Sequence, residues 1–524
     1  MNKLAMILAT ISVLSCGDVS AEDKFNKINI EEMSILTMQK HMNEGTLTSK
    51  QLVELYLNRI EKYDSQLNAV IELNPDALKI ASDMDEERAN GKVRSPMHGI
   101  PFMIKDNIET ADKMKTTAGS LALVNAPTPE KDAFIIQQLR KSGAVLVGKT
   151  NLSEWANFRS NNSSSGWSSR GGQTHNPYIL DRSPCGSSSG SGVAVSANLI
   201  SVAVGTETDG SIVCPASING IVGIKPTLGL LSRSGIIPLA HSQDTSGPMA
   251  KTVSDAVIMF QAMVAKDVND SVNLLKEGEI DFSMNYNNSL DKNGLKGARI
   301  GVARQYFGKN AQLDALMTQQ LNLMKQKGAL LIDVEFPDLE NFGEDEYGVL
   351  LYEFKNDINK YLKNRGGKYD SLEKLIQFNK THADKQMPYF EQEIFEKAQA
   401  MGSLDDDSYK KSLKNSKYLT QDKGIDMVMD KHQLDAIFAP TNTPSWMIDL
   451  IYGDSFGGFV SSSSLAAVSG YPSITVPSGF IKKMPIGFSF IGRAYSEAEL
   501  IKIAYAWEQA SMARRKPTLL KTYQ

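Results

Sequence analysis

Ser183–Pro226 reads SPCGSSSGSGVAVSANLISVAVGTETDGSIVCPASINGIVGIKP. A Gly/Ser-rich turn, Gly186 to Gly192, leads into a small-residue segment, Val193 to Asn198. An apolar run, Ile200 to Val204, has the look of a strand and is followed by a second turn, Gly205 to Ser211. Two serine-bearing turns therefore bracket a segment short enough to fold back on itself. Serine chemistry needs the hydroxyl on a tight turn with backbone N–H groups aimed at the same point. Thr208-Asp209-Gly210-Ser211 offers both. A flexible Ser/Gly linker has this composition too, but it would stay polar downstream. Here an apolar strand and the Pro226-terminated GIVGIKP follow at once.

The stretch resembles the signature of the amidase signature family of serine hydrolases. That family has a Gly-Ser-Ser-rich turn and then, at fixed spacing, a G-T-[DE]-x-x-G-S-I segment. Ser187 and Ser211 match the spacing of its cis-serine and its nucleophile, and Gly205 to Ile212 matches the second segment, with Glu207 where Asp is commoner. The family's lysine lies upstream in G-I-P-x-x-x-K-D-N, which Gly99 to Asn107 reproduces around Lys105. The resemblance covers roughly 49–264 and 434–517. It implies an α/β fold, the amidase signature fold, with a large mixed β-sheet core covered by helices on both faces. It implies Lys105, Ser187 and Ser211 as catalytic residues, and backbone N–H groups of Thr208, Asp209, Gly210 and Ser211 as an oxyanion hole. Ser188 and Ser189 help hold the turn, and Asp106 and Asn107 either support the lysine or belong to the turn after it.

The resemblance also implies a reaction: cleavage of a carboxamide C–N bond through a serine acyl-enzyme, with release of ammonia or an amine. Many family members carry Arg after G-S-I, whereas this chain has Val213-Cys214-Pro215. With Pro184-Cys185-Gly186, that resembles the peptide amidase branch, which acts on C-terminal peptide amides. An uncharged Val213 argues against a pocket for the α-carboxylate of free glutamine, which the glutaminase of the glutamyl-tRNA amidotransferase would need. A catalytically inactive binding homologue is the other rival, and intact Lys105, Ser187 and Ser211 count against it. No G-x-S-x-G elbow surrounds Ser211, so a histidine-dependent hydrolase is disfavoured.

Composition narrows the partners. With 41% hydrophobic and 22% charged residues the chain is a globular enzyme rather than a disordered one. A net charge of −4 supplies no basic footprint for nucleic acid and no polybasic membrane patch. The six histidines show no H-x-x-x-H pair, so neither a metal site nor a cofactor is expected, and the partner is a small-molecule or peptide amide substrate. Cys185 and Cys214 flank the two turns and should be neighbours in space. They are read as a pair of buried thiols, although an exported protein permits a bridge.

Met1 to Ala21 reads as an export signal. Lys3 supplies the positive region, Leu4 to Leu14 the apolar core, and Val19-Ser20-Ala21 the cleavage site. That core is too short to remain as a membrane span. Val13-Leu14-Ser15-Cys16 resembles a lipobox and offers lipidation at Cys16 as a second route. Both routes place the mature chain outside the cytoplasm as a single amidase domain: 22–524, periplasmic or secreted, after cleavage at Ala21, or lipid-anchored to a membrane through Cys16.

Elsewhere the periodicity predicts helices over Glu31 to Glu44, Ser49 to Asp64 and from Asn74-Pro75 to Asn90-Gly91. Ile100 to Asp106 reads as a buried strand ending near Lys105. Asp132 to Lys141 is helical, Ala144 to Val147 a strand, and Leu152 starts another helix. Ser160 to Pro184 reads as a long loop and Lys266 to Asn293 as an insertion. Strands are expected at Arg299 to Val302, Leu330 to Val334, Ala436 to Pro440, Ser473 to Val476 and Gly487 to Ile491. A helical, charged region at about 340–430 is expected to shape the substrate pocket. Ser496 and Glu499 form a capping box for the last helix.

Overall fold

The computed structural model describes residues 28–275, 280–337, 342–455 and 457–523. The export signal, its cleavage site and Cys16 lie outside them. In chain order the strands are β1 (Val70–Leu73), β2 (Pro101–Lys105), β3 (Val145–Thr150), β4 (Trp167–Ser168), β5 (Gly172–Gln173), β6 (Val202–Glu207), β7 (Val222–Lys225), β8 (Thr245–Ala250), β9 (Arg299–Ala303), β10 (Leu330–Val334), β11 (Ala436–Pro440), β12 (Ser473–Ile481) and β13 (Met484–Ile491). The short β4 and β5 make a separate ribbon inside the expected loop. The other eleven form one mixed sheet, in the spatial order β1-β3-β2-β6-β8-β7-β12-β13-β11-β9-β10. Helices wrap this sheet, as the α/β reading expects.

The middle of the sheet positions the chemistry. β2 and β6 are parallel neighbours, with Ile104 beside Val204. Their C-terminal ends therefore deliver Lys105 and Thr206 to the same edge, where α/β proteins commonly place their ligands. All five residues of β2 and all six of β6 are buried. Small side chains let the next helix, Ser189–Ser196, run through the interior with every residue buried. Gly190 is required there, because a Cβ would lie 2.3 Å from the carbonyl oxygen of Ala69.

Several predicted elements change on folding. β6 continues through Thr206 and Glu207, which read as turn, because antiparallel pairing with Ser246 and Thr245 of β8 extends it. The helix expected from Leu152 is a single 3₁₀ turn, Glu154–Asn157, interrupted by left-handed backbone at Trp155 and Ala156. β12 and β13 are longer than read and form a hairpin through Lys482, whose φ is 54°. Ser496 and Glu499 make no capping box. Ser496 Oγ donates instead to the carbonyl of Arg493, so the last helix, Glu497–Ser511, lacks a side-chain cap. The N-terminal helices match closely, and Thr48 caps Ser49–Leu67 with Gln51 completing its box.

Residues 343–420 carry the expected helices, chiefly Gly343–Arg365, Leu372–Thr381, Glu393–Ala400 and Asp407–Thr420. The apolar faces of the first three share a hydrophobic cluster with Trp155, Phe158, Leu239 and Ala240. No helix among the described residues is long and apolar enough to cross a membrane.

Candidate active site

Lys105 ends β2 with no solvent exposure. Burial pulls its pKa down to about 7, although Asp244 and Glu207 favour the ammonium. Its Nζ lies 2.7 Å from Ser187 Oγ, 2.8 Å from Thr206 Oγ1 and 3.2 Å from the Thr206 carbonyl oxygen. A neutral amine has two protons and one lone pair. The Thr206 carbonyl can only accept, and Asn107 Nδ2 donates to Thr206 Oγ1 at 3.0 Å. Protons directed at the two oxygens of Thr206 leave the lone pair facing the Ser187 hydroxyl.

Ser187 follows a cis peptide bond with Gly186 and is fully buried. Its neighbour Ser188 fixes the turn against β6: Ser188 Oγ accepts from the Thr206 N–H at 3.1 Å and donates to the Thr206 carbonyl at 3.0 Å. Ser189 Oγ closes the turn from the other side by donating to the Cys185 carbonyl at 2.5 Å. Both serines thus hold the turn, as expected.

The second turn runs from β6 into the helix Val213–Ile218. Gly210 takes φ of +75°, which glycine adopts without a Cβ penalty. Glu207 Oε2 accepts the N–H groups of Ile212 at 2.7 Å and Val213 at 3.0 Å, fixing the turn at its far end. Thr208 Oγ1 donates to Asp244 Oδ1 at 2.6 Å, and Asp209 Oδ2 accepts from Ser464 Oγ at 2.6 Å. Among the described residues, the N–H groups of Thr208, Asp209, Gly210 and Ser211 meet no protein acceptor. Four consecutive N–H groups without a protein acceptor, on a turn braced by side chains, are available to a ligand. Ser211 is 8% exposed at its end, and its carbonyl accepts from the Ser188 N–H at 3.2 Å. Ser187 and Ser211 therefore sit on turns in direct backbone contact.

A cavity of about 500 Å³ opens beside this centre, with Asn107, Thr206, Thr208 and Asp244 on its inner wall. Asp244 also accepts the N–H groups of Leu239 and Ala240. Burial lifts its carboxyl to about 6 against those bonds. Sequence reasoning misses both Thr206 and Asp244 as site residues. Thr206 meets Lys105 through strand pairing and Asp244 meets Thr208 between two turns, and the one hint of Thr206 in the sequence is its place beside Glu207.

The cysteines depart from expectation. Cys185 and Cys214 form a disulfide, with Cα atoms 6.1 Å apart. They are not a pair of thiols, because the left-handed backbone at Cys185 and the short helix starting at Val213 bring the two sulfurs into bonding range.

No histidine among the described residues joins this centre. His98 Nε2 lies 3.0 Å from the Met84 carbonyl, away from Lys105 and the two serine turns. The one His/carboxylate group among those residues, His241 with Glu353 and Asp357, is satisfied internally. His241 Nδ1 lies 2.8 Å from Asp357, and Glu353 also accepts from Tyr409 OH and the Ser242 N–H.

The sequence profile of the family described as Amidase matches residues 51–501. A probable amidase of Arabidopsis thaliana is 39% identical over 99% of this chain and 97% of its own length. The A-type subunit of the glutamyl-tRNA(Gln) amidotransferase of Thermoanaerobacter pseudethanolicus is 31% identical over 94% of the chain and 99% of its own. Among solved structures, the native peptide amidase from Stenotrophomonas maltophilia superposes with a TM-score of 0.88 at 47% identity. That match covers 93% of this chain and 99% of the other.

Proposed function

The chain belongs to the amidase family, and from that premise we propose that it cleaves amides with Ser211 as nucleophile, Ser187 as proton relay and Lys105 as base. The observation that carries this reading is the 2.7 Å contact between Lys105 Nζ and Ser187 Oγ in a buried centre without histidine. As Ser211 Oγ attacks the carbonyl carbon, its proton passes to Ser187 Oγ and the Ser187 proton passes to Lys105. The carbonyl oxygen becomes an oxyanion facing the N–H groups of residues 208–211, each such donor lowering the barrier by about 3 kcal/mol. The C–N bond then breaks as the nitrogen takes a proton from Ser187, which Lys105 replenishes. Water enters by the same route in reverse and frees the acid from Ser211. No cofactor takes part in these steps.

The substrate we propose is the C-terminal carboxamide of a peptide, released as ammonia. Two observations support it: the 47% identity with a peptide amidase, and the uncharged, buried Val213 after the nucleophile turn. The amidotransferase-type glutaminase is disfavoured by the lower 31% identity and by Val213. The helices between 343 and 420 are proposed to shape the pocket. Export, periplasmic or beyond, is supported by Met1–Ala21 and by the disulfide, a bond that persists in oxidising compartments.

Ammonia release from a panel of peptide, aryl and aliphatic amides, by wild type and Ser211→Ala, tests both parts. Turnover of peptide amides that Ser211→Ala lacks is the expected result. Activity of Ser211→Ala within about tenfold of wild type, a barrier change of about 1.4 kcal/mol or less, removes the nucleophile assignment.

A further inference from the structure

Ser187 and Ser211 stand on different elements. Ser187 precedes the buried helix Ser189–Ser196, and Ser211 follows β6. Among the described residues, one hydrogen bond joins 185–189 directly to 208–214, from the Ser188 N–H to the Ser211 carbonyl. The other direct link is covalent. Cys185 lies two residues before Ser187, Cys214 three residues after Ser211, and they are bonded to each other.

The bond also has a built environment. It is nearly buried, with 6% and 8% of the two cysteines exposed, and it packs against Ile218 and the half-buried Trp446 and Phe459. Trp446 and Phe459 meet edge to face at 5.2 Å, and Asn442 Nδ2 lies 3.5 Å from Cys214 Sγ. Ser445 Oγ donates to the Ser183 carbonyl at 2.5 Å. Cys185 itself holds a left-handed backbone, φ 56°, which non-glycine residues seldom adopt. One covalent strut thus connects both serine turns, with Asn442, Trp446 and Phe459 packed against it.

We propose that the Cys185–Cys214 disulfide is the positioning element of the proton relay, setting Ser187 and Ser211 in register so that amide hydrolysis requires the oxidised form. This rests on the serine roles proposed above. Proton transfer between two hydroxyls and an amine demands hydrogen-bond contact at every step. A misplacement of about 1 Å in such a site costs about 100-fold in rate. Apart from Thr208, the adjoining cavity is lined by residues outside the two serine turns, among them Arg233 and Tyr361. Loss of the bond therefore acts on turnover and leaves substrate affinity largely in place.

The test compares wild type with Cys185→Ala, Cys214→Ala and the double variant, each checked by circular dichroism. Expected is a fall in kcat of about 100-fold with KM within about threefold. Covalent labelling of Ser211 by a fluorophosphonate should slow in parallel, a readout that a purely stabilising bond leaves unchanged in folded protein. Wild type treated with graded dithiothreitol covers the case of variants that do not fold. Each dithiothreitol supplies two electrons and two protons, yielding two cysteine thiols and its own cyclic disulfide. Activity should follow the oxidised fraction while the spectrum stays native, and return on reoxidation. A folded, disulfide-free enzyme with wild-type kcat and labelling rate overturns the proposal. That outcome is separate from failure of the serine assignment, which an active Ser211→Ala would reveal in the same assay.

Discussion

At the scale of single residues the centre is controlled by the state of one amine. Lys105 can accept a proton only when neutral, and burial brings its pKa to about 7. Single-turnover rate should therefore rise with pH through about 7 and level off above it, as the ammonium form disappears. Lys105→Arg should lose both the rate and this ascending limb, since a guanidinium stays protonated throughout. Full activity in the arginine variant would show that the base lies elsewhere. Lys105, Ser187 and Ser211, the residues proposed to do the chemistry, are picked out by motif spacing along the chain, and the structure brings Lys105 to Ser187. Thr206 and Asp244 are not picked out, because Thr206 meets Lys105 through strand pairing and Asp244 meets Thr208 across a loop. The disulfide escapes a reading of the sequence for a related reason: separation along the chain says nothing about where two Cβ atoms point.

Individual elements make these residues usable by bracing the two turns. Glu207 caps the helix after Ser211 with one carboxylate oxygen, and the charge of Lys225 offsets part of the cost of burying it. Glu207→Ala would leave two buried N–H groups without an acceptor, a loss of about 3 kcal/mol in unfolding free energy. It should also cut kcat, because the free donors of 208–211 would no longer be held in one direction. Denaturant unfolding and steady-state kinetics on one preparation check both effects. The first turn is braced sterically. A Cβ on Gly186 would lie 2.1 Å from Ser153 Oγ, which already accepts the Gly166 N–H at 2.9 Å. Gly186→Ala should lower kcat about tenfold, a barrier rise of about 1.4 kcal/mol. Adding Ser153→Ala removes the obstructing oxygen and should restore part of the loss; no restoration would place the strain elsewhere. The sequence marks Gly186 as turn-forming, but the neighbour that makes it obligatory lies 33 residues upstream.

At the scale of the whole molecule, regions with the least motif content hold the candidate site's edge of the sheet in place. The segment read as an insertion pins the cavity wall: Asp270 pairs with Arg233, and Asp267 accepts from Ser232. Helicity in 343–420 is legible from its composition, but its attachment depends on contacts with a loop about a hundred residues earlier. Gln243 donates to Glu346 and to the Thr208 carbonyl, while His241 sits between Asp357 and Glu353. That histidine makes the attachment pH-dependent. Burial works against the imidazolium, and Arg233 opposes it further. The hydrogen bond to Asp357 and the charge of Glu353 outweigh both and raise the pKa above the ordinary 6.5. A raised pKa in the folded state stabilises fully below the unfolded value and fades as pH rises through the folded one. The contribution is therefore complete below about 6.5 and lost on the alkaline side. With its side chain 39% exposed, solvent screening holds it to about 1 kcal/mol or less. His241→Gln should narrow the stability difference between about pH 6 and about pH 8 relative to wild type, with the larger loss at the lower value. Melting curves of both proteins at the two pH values measure it. An equal loss at both would mean that His241 acts there by packing, without a charge. The same loop carries Asp244 to Thr208. Any fall in kcat of His241→Gln relative to wild type should then be largest at low pH, where the wild-type histidine carries its charge.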